Sequence, residues 1–166
     1  ARPDIIPLVV QQEAGFTRLP LRPPTALYMD SFSELTDQLF VRRSAGWRVC
    51  CHYSDLCHTP SFKRRFEAAG LLPPGEFRAQ YGRFFTWIRS RFGTIPIIFL
   101  HFPAKLDKRT KFHDRHRDIM AAISGLAGEF RPFHAITADD QIVNWPDGSG
   151  NGVEPFPYHF NRATYA

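Results

Sequence analysis

The run "IPIIFLHF", residues 95–102, constrains the fold more than any other segment of this chain. It is nearly continuous apolar sequence of one strand's length, rich in β-branched residues. Strands of a parallel sheet that are buried on both faces read this way. Pro96 falls near its beginning, where a missing N–H costs least. The flanks agree. Before it, residues 76–92 place Phe77, Tyr81, Phe84, Phe85, Ile88 and Phe92 on one apolar helical stripe, ended by Gly93. After it, residues 107–128 predict a helix of about five turns with Phe112, Ile119, Ile123 and Leu126 inward, and "FHAITA" follows as a further strand.

The N-terminal half reads with the same alternation. "TALYM" predicts a short buried strand. Residues 33–43 predict a helix with Leu35, Leu39 and Phe40 on one face, ended by Gly46. "WRVCCHY" predicts a second strand, and residues 62–69 a short helix stopped by Gly70 and Pro73-Pro74. The expected architecture is a three-layer α/β/α sandwich around a mostly parallel sheet of four to five strands. Residues 25–166 are expected to form this single domain. Residues 1–24, with an apolar run and the proline-rich "RLPLRPP", form an arm or an edge strand.

Composition narrows the function classes. The 166 residues carry a net charge of +5, but Lys and Arg are spread over several predicted helices and mixed with acids, which reads as a solvated surface without a nucleic-acid partner. No apolar run approaches the ~20 residues of a membrane helix. The first residues lack the basic head and apolar middle of a secretory signal. Three cysteines, Cys50, Cys51 and Cys57, do not describe a disulfide scaffold, so a cytoplasmic setting is expected.

Ligands of parallel sheets bind beyond the carboxyl ends of the strands. Asp30-Ser31, His52, His101 and Asp139-Asp140 fall at such ends. Two segments stand out together: "MDSFSEL" after the first strand and "PYHFNRATYA" near the C-terminus. In this order they resemble the SGNH (GDSL-type) hydrolases, an α/β/α family with a serine nucleophile just after the first strand and a histidine base near the end of the chain. The resemblance makes Ser31 the nucleophile and His159 the base, and extends over residues 25–166. It implies an esterase or acyltransferase acting on a small-molecule or carbohydrate ester, with no cofactor. Met29 stands where the family has glycine, and Phe156 where it has the aspartate that orients the histidine. Glu154 is then the first choice of orienting acid and Asp147 the second. Ser54 falls near the family's second block, its Gly-x-Asn-Asp block has no counterpart, and Asp30, Ser54, His101 and Trp145 are the candidates for the oxyanion and substrate site.

Other readings stand beside this one. Ser31-x-x-Glu34 also reads as a capping box, which needs no catalysis. A non-catalytic module binding a ligand or protein at the same cleft follows if the missing motifs are decisive. "CCHYSDLCH" offers thiolates and imidazoles for a metal built on Cys51, Cys57, His58 and His52. However, adjacent Cys50 and Cys51 in a strand face opposite ways. His113 and His116 form a helical i, i+3 pair among arginines and a lysine, better read as a solvated face.

Overall fold

The computed structural model describes residues 23–46, 48–52, 60–101, 104, 107 and 109–137. Along them run β1 (Leu27–Asp30), α1 (Phe32–Thr36), β2 (Asp37–Arg42), β3 (Arg48–His52), α2 (Pro60–Arg65), β4 (Phe66–Gly70), a 3₁₀ turn (Pro74–Glu76), α3 (Phe77–Phe92), β5 (Ile97–His101), α4 (Thr110–Ala127) and β6 (Phe133–Thr137). The strands form two three-stranded sheets, ordered β1-β5-β6 and β3-β2-β4. The first belongs to a unit containing Thr25–Ser31 and the chain from Pro74 on; the second belongs to a unit containing Phe32–Pro73.

The first sheet is parallel throughout. Its register runs from Leu27 opposite Ile97 to Asp30 opposite Leu100, and from Ile97 opposite Phe133 to His101 opposite Thr137. The run that begins at Ile97 is the central strand, as its composition demands. Ile97 and Phe99 are completely buried. The α3 stripe seats on this sheet through Tyr81, whose ring meets Phe99 edge-on at 5.6 Å, and Phe85, which meets Phe133 at 5.4 Å. Four of the six stripe residues, Phe77, Tyr81, Phe85 and Ile88, are buried. In α4 all four expected core residues are buried, and Arg115 joins them. Gly93 ends α3 at φ 73°, a left-handed conformation that side chains resist.

Both connections within this sheet step the same way, from β1 to β5 and from β5 to β6. Crossovers between parallel strands are right-handed, so the two helices fall on one face. The other face displays Tyr28, Leu100 and Ile136, which are 69%, 43% and 47% exposed. Among the described residues, helices therefore cover one side of the parallel sheet where the sequence reading expects both.

The second sheet corrects that reading further. A single parallel sheet of four to five strands is not what forms: β3, expected within it, pairs antiparallel with β2. Parallel neighbours need a crossover of a dozen or more residues. The link from Arg42 to Arg48 is far shorter, so only a hairpin is open to it. Gly46, at φ 70°, supplies its left-handed turn.

The helix expected over 33–43 is only five residues long, because Leu39, Phe40 and Val41 are drawn into the central strand β2 and pair on both sides. The helix expected over 62–69 likewise yields at Phe66 to β4, although Glu67, Ala68 and Ala69 are weak strand formers. Burial of Phe40 and Phe66 overrides local preference. These two residues join Val49, Cys51 and Phe62 in a compact core, with Phe62 stacked on Phe66 at 4.4 Å and edge-on to Phe40 at 5.1 Å. Pro60 opens α2, at a helical position that needs no N–H partner. Among the described residues no helix is long and apolar enough to cross a membrane.

Candidate functional site

The carboxyl edge of the parallel sheet gathers the chemistry. Along β5 burial alternates, with Ile97, Phe99 and His101 inward and Leu100 outward. On β1, Tyr28 and Asp30 are exposed, and Leu27 and Met29 belong to the other, helix-covered face. Partners in a parallel ladder point to the same side. The β1–β5 register ends with Asp30 opposite Leu100, and the next residues of the two segments, Ser31 and His101, are both buried.

Helix α4 frames this edge. Asp107, almost wholly buried, accepts the Arg109 backbone N–H at 2.9 Å and the guanidinium through Nε at 2.9 Å and Nη2 at 2.6 Å. It thereby places a carboxylate against the N-terminal turn, where negative charge is favoured. His113 Nε2 contacts the carbonyl of the same aspartate. One turn further on, the His116 ring stands perpendicular to His101 with 6.0 Å between centroids. The two helical histidines thus reach different partners rather than one metal. Arg115 is buried with its guanidinium 4.8 Å from the Phe77 ring.

His101 is held neutral. Burial, and then the neighbouring His116, lower its pKa from 6.5 to about 4. Its Nδ1 is buried without a hydrogen-bond partner among the described residues. A histidine with this shift protonates in the unfolded chain below about pH 6.5 but in the native state only near pH 4. The unfolded state therefore binds more protons between these values, and stability falls as the pH drops through the window. The contribution is intact above pH 6.5, and its loss is complete, on the order of 3 kcal/mol at most, near pH 4. Urea titrations at pH 7 and pH 4.5 should show the loss in the wild type and a smaller loss in His101→Gln. Equal losses would remove His101 as the source.

Of the residues singled out in the sequence, Ser31 and His101 follow the paired residues Asp30 and Leu100 on neighbouring strands and are both buried, while Asp30 is exposed at the same edge. His159, Glu154, Asp147, Ser54, Trp145, Cys57 and His58 lie outside the described residues. Cys50 is exposed and Cys51 buried, the opposite facing that adjacent strand positions require. His52 is exposed at the end of β3. No group of three or more metal-ligating side chains occurs among the described residues. The sequence reading missed the meeting of His116 with His101 and the role of Asp107. An acid two residues before an arginine at a helix start was the available signal for the latter.

No protein-family model matches this chain, and neither a curated protein nor a solved structure matches it.

Proposed function

We propose that the chain is an SGNH-like serine esterase or acyltransferase, with Ser31 as the nucleophile attacking an acyl carbonyl. The single observation that supports this reading is the register of the parallel sheet, in which buried Ser31 and His101 each follow the last paired residues, Asp30 and Leu100, at the edge where such sheets bind ligands. The role of His101 follows from its basicity. A general base works best with a pKa near the operating pH. His101, lowered to about 4, is a poor proton acceptor at pH 7. A neutral imidazole in a dry setting is instead a good hydrogen-bond donor to a developing oxyanion. His101 takes that role, in place of the asparagine block the sequence lacks, and His159 takes the role of base. Helix α1 is too short to supply a strong anion-binding terminus. The acyl group moves from its ester oxygen, which leaves as the alcohol, to Ser31 and then to water or an acceptor hydroxyl, with a small-molecule or carbohydrate ester as the substrate class.

A second reading rests on the same serine. Ser31 is completely buried and directly precedes α1. That suits a structural residue in a non-catalytic binding module. A fluorophosphonate probe separates the two. Covalent labelling mapped to Ser31 by mass spectrometry is the expected result. A chain that stays unlabelled under conditions that label a control serine esterase supports the binding module.

A further inference from the structure

Bases and acids mix along most of the chain, but not on α3. From Phe77 to Phe92 it carries Arg78, Arg83, Arg89 and Arg91 and no acidic residue. Two of these are engaged: Arg78 pairs with Glu129, while Arg89 donates to the Arg131 carbonyl and lies 5.1 Å from the Phe130 ring centroid. Arg83 and Arg91 have no ion pair or hydrogen bond among the described residues. They stand four residues before and four after Trp87, in one row along the helix. Trp87 is 42% exposed, and Phe84, 38% exposed, stacks against it at 6.1 Å. Trp87 and Arg83 also wall a groove of about 820 Å³, lined further by the Arg78–Glu129 pair, Gly82, Leu126 and Phe130.

We propose that this face of α3 binds a single strand of nucleic acid, with a base stacked on Trp87 and phosphates on Arg83 and Arg91. Guanidinium groups match phosphate in a two-point fork. Eight helical residues put the two arginines about 12 Å apart along the axis, bracketing the indole. A basic track with an aromatic platform is how proteins hold single strands without reading sequence. An anionic bilayer is the poorer fit. The apolar face of α3 is already spent on the core through Phe77, Tyr81, Phe85 and Ile88, leaving a narrow row rather than a broad surface to sink into lipid.

Fluorescence anisotropy of a labelled oligothymidine of about 20 nucleotides, long enough for one such site, tests the proposal. Binding is expected in low salt, weakening as salt rises with a log–log slope of about −1.4 for two phosphate contacts. Trp87→Ala should weaken it on the order of tenfold, and Trp87→Phe less. Arg83→Gln combined with Arg91→Gln should flatten the salt dependence. Ser31→Ala should leave binding unchanged, so this test is independent of the esterase reading. No anisotropy change at about 100 µM protein in low salt, well within the usual non-specific range, would overturn the proposal. So would binding indifferent to Trp87→Ala and to the paired Arg83→Gln and Arg91→Gln, or capture by phosphatidylserine vesicles without any by the oligonucleotide.

Discussion

Replacing Ser31 with alanine is expected to lower turnover of an aryl acetate by roughly 10³-fold or more, while the fold loses only about 1 kcal/mol, the worth of a lost helix cap. The two readouts together matter. A serine that only closes the start of α1 would cost stability and leave turnover, if any, untouched. The histidines then divide by their pH limbs. With an imidazole of unshifted pKa as base, the rate should fall below about pH 6.5. With His101 as base, activity would persist toward pH 4, where that ring finally takes a proton. His101→Gln, which keeps a donor, should retain more activity than His101→Ala. Equal turnover by wild type and Ser31→Ala, measured by stopped substrate release, would eliminate the mechanism.

Phe85→Ala carries the largest expected effect on stability. The ring is completely buried and meets four others: Tyr81 at 6.0 Å, Phe84 at 5.8 Å, Phe130 at 5.5 Å and Phe133 at 5.4 Å. It joins α3 to β6 and to the turn after α4, so no single neighbour can move to fill the space it leaves. Large-to-small changes at such sites cost about 3–5 kcal/mol, a large part of the 5–15 kcal/mol typical of a domain. Equilibrium urea denaturation should show a lower midpoint with an unchanged slope. A loss below about 0.5 kcal/mol, the level of a surface substitution, would mean that α3 is not seated on the sheet as described.

The C-terminal half of the described chain was legible because its patterns are long and its partners are close in sequence. Seventeen residues of one-sided apolar periodicity can only be a helix, and "IPIIFLHF" can only be an interior strand. The stretch from Phe32 to Gly70 was not legible for a matching reason. Leu39-Phe40-Val41 satisfies a helix and a strand equally, and the choice is made by β3 and β4, which lie on either side of β2. Phe66 and the alanines after it look helical until they are seen completing a sheet edge. For the site, Ser31 and His101 were each visible as strand-end residues. That they end neighbouring strands was not, because it depends on which strand lies beside β1, and that is a property of sheet order.

The same adjacency has a cost in time. β1 pairs with a strand from which it is separated by residues 31–96, an excursion about twice as long as the one joining β5 to β6. Doubling a loop changes closure entropy by only about 0.6 kcal/mol, yet distant pairings slow folding far more than they weaken the folded state. The hairpin of β2 with β3 and the β5–α4–β6 module can each condense from nearby sequence, whereas the edge bearing Ser31 must wait for both ends of that excursion to arrive. A nascent chain released before β5 emerges would carry the serine with nothing to hold it in place.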